Sequence, residues 1–452
     1  MDGRRGTSSR RSVHRCARHL LLVVGLAAIM VLAYSTMASA ASATVVSRGA
    51  GGSGKIALTF DDNNSPTRAL AVLRALQRYQ VPATLFVIGD SVNAYPSINA
   101  EIVKGMAAGL FEVGDHTRSH PNLARLSSSG MAAQIGGGTD AFRKATGART
   151  VPLFRPPYGS TNARVAAVAG QKGFDYLILW DIDPRDWAGT SAAAITNHIV
   201  SRAHSGAIVV MHLSAPHTAA AIPGLVSKLR AKGYELVTVS TMLKGDRLFL
   251  DVVSGSEAGR AIARLVAAGF MSGYNSNYFG TRDSITRAQV AKVSTLVGGI
   301  HTSEVEGVAT PVFADVPARL DSAGRPVSYP FDFVQEAAAA GLVVGSSTGE
   351  GTMVFNPSRA INRVQLATIV ARMVRQFKGY PATATEAGLA EVAFADVPAY
   401  AAADVSLVAA LGLMIGTGKK TFMPWSGAVR AQVAVVMSRY LDLPHMRPGD
   451  RQ

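Results

Sequence analysis

A single cysteine, Cys16, occurs in 452 residues, so no disulfide can be drawn within the chain. Aromatic residues are sparse at 7%, and charged residues make up only 17%. Acidic side chains run short: 30 Asp and Glu stand against 45 Lys and Arg, for a net charge of +15. A surface that basic favours polyanions, but no nucleic-acid-reading motif accompanies it. Nucleic acid is therefore not the expected partner, and anionic wall polymers remain. The apolar run from Leu20 to Ala33 has 14 residues, short of the roughly 20 that a spanning helix needs. What is abundant is ordinary globular material, 48% hydrophobic, in a chain long enough for two to four domains.

The N-terminus predicts export. Arg4, Arg5, Arg10, Arg11, Arg15 and Arg18 precede the apolar run, and small residues follow, with Ala38-Ser39-Ala40 as a cleavage site. Basic, apolar and small-residue segments in that order make a secretory signal peptide over residues 1–40. Ser9-Arg10-Arg11 leaves twin-arginine export open beside the general route. Cys16 would leave with the signal, so the mature chain has packing and bound metal to rely on, and no stable membrane span. It is expected to be secreted and attached to a bacterial cell wall.

Residues 44–54 are small, polar and glycine-rich and read as a linker. Lys55 to Phe60 reads as a short alternating strand ending in acids, Pro66 to Tyr79 as a helix, and Pro82 to Ile88 as a second strand. Strand-like runs recur at Leu110 to Val113, Leu153 to Phe154, Tyr176 to Leu179, Ala207 to Met211 and Glu235 to Val239, with helical stretches between most of them. That alternation predicts parallel strands joined by crossovers, in an open sheet or a barrel.

Five polar clusters fall just after strands, where such folds place their sites. Asp61 and Asp62 are adjacent acids that can divide the work, one on a metal and one as a base. His116 and His120, four residues apart, stand one turn apart if helical, so both imidazoles reach one ion together with Asp62. Such a set suits zinc, with cobalt or manganese as alternatives. Arg155-Pro156-Pro157-Tyr158-Gly159 is a stiff loop able to aim a backbone N–H at an oxyanion. Asp183 to Trp187 sets a tryptophan beside acids, a sugar-stacking surface. His212 ends the apolar run from Ala207.

Together and in this order, the five clusters resemble those of the NodB-type polysaccharide deacetylase domain, from about Lys55 to Lys244. The resemblance implies a distorted (β/α) barrel over residues 55–246 acting on acetylated sugars. It implies Asp61 as catalytic base held by Arg155, and Asp62, His116 and His120 as metal ligands. His212 would be the general acid, tuned by Asp186, with Pro156, Tyr158 and Trp187 against the substrate. Asn63 stands where the family usually has glycine, which suggests a left-handed or crowded backbone that asparagine tolerates. Asp115 stands where asparagine is commoner.

After about Asp246 an internal repeat begins. Phe313 to Pro317 recurs unchanged at Phe394 to Pro398, and Thr286-Arg-Ala-Gln-Val-Ala recurs from Val429 and, with changes, from Asn362. Each copy reads as two helices joined by a turn, too small to bury an apolar face alone, so three must share a core. These repeats resemble S-layer homology modules, expected as an all-α domain at residues 247–300, 311–376 and 392–443. The resemblance implies that Arg287, Arg363 and Arg430 contact an anionic secondary cell-wall polymer. Glutamine replaces the usual glutamate in all three copies, and an insertion lies near Ser322 to Ser328.

The function expected is a metal-dependent hydrolase that removes acetyl groups from N-acetylglucosamine-containing polysaccharide, peptidoglycan foremost. O-acetyl xylan or glycan esterase and chitin-oligomer deacetylase share these motifs. A structural wall-binding protein with an inactive catalytic domain is the reading from another class.

Overall fold

The computed structural model describes residues 42–301, 311–321, 327–349, 351–418 and 420–446. The expected signal peptide lies outside them, as does most of the insertion near Ser322. No helix among the described residues is long and apolar enough to cross a membrane. They form two compact units, one of residues 42–251 with Ser276–Tyr278, the other of Val252–Asn275 and the residues from Phe279 onward.

The first unit is a curled parallel sheet with helices outside. Its strands are β1 (Thr44–Val46), β2 (Lys55–Asp61), β3 (Ala83–Val87), β4 (Phe111–Asp115), β5 (Leu153–Phe154), β6 (Tyr176–Ile178), β7 (Ile208–His212) and β8 (Glu235–Val237). They run in the order β1-β6-β5-β4-β3-β2-β7, and β8 pairs with the start of β2. Ile182 pairs with Val209 and Arg48 with Ala207, so the sheet curls back on itself as a distorted (β/α) barrel.

Two expectations change here. Thr44–Val46 is an edge strand parallel to β6 rather than linker, because its β-branched residues fit a pleated edge better than a loop. In β2 every residue from Ile56 to Asp61 is buried, so the strand does not alternate between core and solvent. A central parallel strand is covered on both faces.

Period-two geometry nevertheless sorts the side chains. Ile56, Leu58 and Phe60 pack outward with Leu73 and Leu76 of α1 (Pro66–Arg78) and Leu225 of a later helix. Ala57 packs inward with Phe86, Leu153, Ile178 and Ile208. Thr59 and Asp61 share the inward face with Ala57, and His212 shares it with Ile208. The register Asp61↔His212 sets these two side by side. In β4, Phe111 and Val113 pack outward, so Asp115 turns outward and His116 inward. Inward Leu153 and outward Phe154 likewise bring Arg155 inward.

Among the described residues, the second unit contains three helix pairs. We number them after the remaining helices of the barrel: α2 (Gly89–Ala94), α3 (Pro96–Ala107), α4 (Ser128–Gln134), α5 (Gly137–Thr146), α6 (Ala163–Gln171), α7 (Ala192–Arg202), α8 (Thr218–Ala231) and α9 (Val239–Lys244). The pairs are α10 (Glu257–Ala267) with α11 (Arg287–Gly298), α12 (Phe331–Ala339) with α13 (Arg363–Lys378), and α14 (Ala402–Ala410) with α15 (Arg430–Asp442). Their main contacts are not within a pair. The first helix of each pair packs on the second helix of the preceding pair, and α10 packs on α15 to close the ring.

The backbone closes the same ring. Ile361 donates to the Ile285 carbonyl, Ala428 to that of Ile361, and Ile285 to that of Ala428, at 3.0, 2.9 and 3.2 Å. The glutamines of the repeat are explained locally. Gln289, Gln365 and Gln432 each accept the backbone N–H of the residue three before, at 3.0 to 3.2 Å. An amide oxygen serves this half of a capping box as a carboxylate does. Thr286 and Asn362 complete the box from their side chains, whereas Val429 has no oxygen to offer.

Candidate functional site

The motif residues of the barrel lie at the C-terminal ends of parallel strands or in the loops that follow them, but by a different local route from the one the spacing suggested. His116 to His120 is a loop, not a helical turn. Thr117 and His120 adopt left-handed φ of 67° and 63°, which brings the two rings to 5.0 Å, edge to face. The left-handed residue in the acidic pair is Asp62 (φ 62°), not Asn63. Asn63 is fully buried, and its Oδ1 accepts the Ile88 N–H at 2.8 Å. Tyr158 (φ 61°) and Arg185 (φ 53°) are left-handed too. Such residues cost of order 1–3 kcal/mol each, and they cluster at functional sites where the surrounding structure over-determines them.

Asp61 is buried, and Arg155, with no exposed surface, holds it. Arg155 Nη1 donates to Asp61 Oδ1 at 2.8 Å and to Thr59 Oγ1 at 2.7 Å, while Nε and Nη2 donate to the Ile178 and Leu179 carbonyls. The guanidinium also lies over the Phe86 ring at 4.2 Å. Burial alone would raise the Asp61 carboxyl, but Arg155, His116 and His212 outweigh it and hold Asp61 below the usual range.

Asp62, His116 and His120 bring one ligand atom each within 4.8 Å of the others. Asp62 Oδ1 is buried and has no hydrogen-bond partner, and it lies 3.7 Å from His116 Nε2 and 3.4 Å from His120 Nε2. The other ring nitrogens are engaged: His116 Nδ1 with the Arg155 carbonyl at 2.7 Å, His120 Nδ1 with the Tyr158 hydroxyl at 3.2 Å. Donation from His116 Nδ1 leaves its Nε2 lone pair facing Asp62. Burial and the neighbouring His116 lower the His120 pKa, which favours the neutral imidazole a cation requires. An orphaned carboxylate oxygen between two imidazoles fits one divalent ion, and the two-His, one-carboxylate set suits zinc.

On the other side of Asp61, His212 Nδ1 lies 2.7 Å from Asp186 Oδ1. Burial would lower the His212 pKa, but the hydrogen bond and charge of Asp186, with Asp61 and Asp62 beyond, push it up to about 9. Asp186 itself is fully buried. Tyr158 and Trp187 are exposed, at 69% and 55%, and the Arg185 guanidinium stands 5.3 Å from the Trp187 ring centroid. Pro156 is buried.

Sequence reasoning gave no role to Thr59 or Thr218. Thr59 bridges Arg155 to the Val209 carbonyl, and the Thr218 hydroxyl donates to Asp186 Oδ2 at 2.5 Å. The period-two pattern could have marked Thr59, two residues before Asp61 on the same face.

The repeat arginines point inward more than expected. Arg287 donates to the Phe355 and Val344 carbonyls, Arg363 to those of Phe422 and Ile415, and Arg430 to those of Phe279 and Ser272. Each guanidinium also covers an aromatic ring, Phe355, Phe422 or Phe279, at 4.5 to 4.6 Å. Arg287 lines a cavity of about 480 Å³ with Arg359, Arg372 and Tyr400, and Arg430 one of about 320 Å³ with Lys292 and Tyr329.

A family model described as polysaccharide deacetylase matches residues 48–177, and one described as S-layer homology domain matches residues 248–291 and 393–434. The middle repeat lies outside those matches. A peptidoglycan-N-acetylglucosamine deacetylase of Bacillus cereus is 35% identical over 194 residues, 42% of this chain and 88% of that protein. The peptidoglycan-N-acetylglucosamine deacetylase PgdA of Listeria monocytogenes is 36% identical over 195 residues, 43% of this chain and 40% of that protein. The chain thus spans about two fifths of the length of that relative. A solved peptidoglycan N-acetylglucosamine deacetylase, Bc1960, is 27% identical, covering 44% of this chain and 92% of that one, with a TM-score of 0.40.

Proposed function

This chain belongs to the polysaccharide deacetylase family, and from that premise we propose that it hydrolyses acetyl groups from the N-acetylglucosamine of peptidoglycan while its S-layer homology modules hold it at the wall. The observation that carries the reading is the partnerless Asp62 oxygen between two imidazoles, beside an Asp61 carboxylate that Arg155 keeps ionised.

In this reading Asp62, His116 and His120 would hold one divalent ion, which would supply Lewis acidity at the acetyl group. Asp61 accepts the proton of the attacking water, since its lowered pKa leaves it ionised at neutral pH. Arg155 fixes which carboxylate oxygen faces away from the water. His212, protonated at neutral pH, gives its proton to the leaving amine as the C–N bond breaks. Asp186 keeps that imidazolium in place and charged. The turn at Pro156 to Tyr158 offers the Tyr158 N–H to the tetrahedral oxyanion. Trp187 gives a flat face to a sugar ring. In the second unit the cationic cavities at Arg287 and Arg430 take the anionic wall polymer, with Arg363 at the third equivalent position.

The test is acetate release by residues 44–452 from peptidoglycan, chitin oligomers and acetylated xylan, with and without zinc or cobalt, beside Asp62→Ala. Metal-dependent release from peptidoglycan, lost in the variant, is the expected result. Release from xylan alone would make the chain an O-acetyl esterase, and no release with any metal would leave only the wall-binding role.

A further inference from the structure

Every backbone N–H from His116 to His120 has a fixed acceptor. They are, in order, the Val87 carbonyl, Asp115 Oδ2, the Gln134 carbonyl, Gln134 Oε1 and Thr117 Oγ1, each at 3.0 Å. Asp115 is the fully buried member of this set whose reach goes furthest. Its Oδ2 also accepts the Gly136 N–H at 3.0 Å, and its Oδ1 the Thr139 N–H at 3.0 Å and the Thr139 hydroxyl at 3.4 Å. One carboxylate therefore ties the histidine loop to the first turn of α5, and neither imidazole is among its hydrogen-bond partners.

Glycines permit that approach. A Cβ on Gly138 would sit 2.0 Å from the Val87 carbonyl oxygen and 3.0 Å from Asp115 Oδ1. One on Gly137 would sit 2.5 Å from Arg118 Cβ, and one on Gly89 the same distance from the Gly137 carbonyl oxygen. Two backbone segments meet here at distances only glycine allows, and they meet where helix amides face Asp115. A carboxylate satisfies all of these donors with two acceptor oxygens. A side chain with no acceptor would leave the Thr117, Gly136 and Thr139 N–H groups buried without partners.

We propose that Asp115 is the positioning residue of the metal ligands: it sets His116 and His120 in place before any ion arrives, so that the loop is not ordered by the metal. The inference rests on the metal-site reading above. Asp115→Ala in the full chain is expected to weaken zinc affinity about 10- to 100-fold, the range seen when groups that hold metal ligands in place are lost, read by competition with a chromophoric chelator. At saturating metal its kcat is expected to return close to wild type. An unchanged zinc affinity in a folded Asp115→Ala protein would overturn the proposal.

Hydrogen exchange of the wild-type chain gives a second readout that needs no variant. The amides of residues 116–120, Gly136 and Thr139 are expected to be equally protected with and without zinc. Protection appearing only after zinc is added would also overturn it. A wild-type chain that binds neither zinc nor cobalt would sink the metal-site reading, and metal-free exchange of the wild type compared with Asp115→Ala would still decide whether Asp115 orders the loop.

Discussion

Nδ1 of His212 and Oδ1 of Asp186 lie 2.7 Å apart, and the other oxygen of that carboxylate receives the His212 backbone N–H at 2.8 Å. One buried acid thus grips both the ring and the main chain of the residue it charges. With its pKa at about 9, His212 is protonated throughout the neutral range, and as the proposed general acid it should make kcat/KM fall as pH rises through that value. Asp186→Asn should move this alkaline limb toward the ordinary imidazole value of 6.5, with a loss of about 10- to 100-fold at pH 8. A pH–rate profile from pH 5 to 10 checks both.

The same pair makes stability depend on pH. The folded-state pKa of His212 lies above its unfolded value of 6.5, so its contribution is fully present below pH 6.5 and is lost as pH rises through about 9. The size is on the order of 3 kcal/mol. Thermal melts across that window should show the wild type losing its advantage over His212→Asn as pH rises.

Arg155→Met should be more damaging than most single changes. It removes the cation from a buried Asp61 carboxylate and leaves the Ile178 and Leu179 carbonyls without their donors. Breaking a buried pair from one side costs about 3–5 kcal/mol. Denaturant unfolding should show that loss, and Asp61→Asn combined with Arg155→Met should recover part of it. Full additivity of the two changes would contradict the pairing.

Trp187→Ala tests the substrate face. The ring is exposed and contributes little to the core. We expect KM for chitin oligomers to rise several-fold with kcat held within about twofold, the pattern of a group that binds ground and transition states alike.

Arg430→Ala separates two meanings of the repeat arginines. Arg430 is 5% exposed and donates to the Phe279 and Ser272 carbonyls. Its loss should destabilise the second unit by about 2–4 kcal/mol, since charged hydrogen bonds and their acceptors go together. Arg287→Ala, at a more open position, should weaken sedimentation with wall sacculi at a smaller cost in stability. Equal melting temperatures for the two variants would count against this division.

The sequence was most legible where one face of a strand had to be apolar. Ala83 to Val87 and Leu153 to Phe154 fall within a residue of expectation because branched and aromatic runs leave little choice. The strand ends that carry Asp61 and His212 followed from the same runs. Local geometry was less legible. Thr117 and His120 look helical by spacing, and no glycine warns that both turn left-handed. Their conformation is imposed from outside, by Asp115 and Gln134. Thr44 to Val46 passed for linker because three residues pair only when β6 is already there to receive them. The repeat arginines were expected to face solvent because a residue at a helix start usually does. The carbonyls they reach belong to a neighbouring repeat, 52 to 158 residues away in sequence, and no local pattern encodes that.

The ring of helix pairs has a consequence for how the chain matures. Arg430 reaches back to Phe279, and α15 packs on α10, so the earliest repeat waits for the last one to emerge. Until then α10 shows an uncovered apolar side with Ile262 and Leu265 at its centre. During synthesis the second unit is therefore an open arc that becomes protease-resistant in one late step. Released chains truncated before residue 430 should be cut within α10, and released chains that include residue 442 should not.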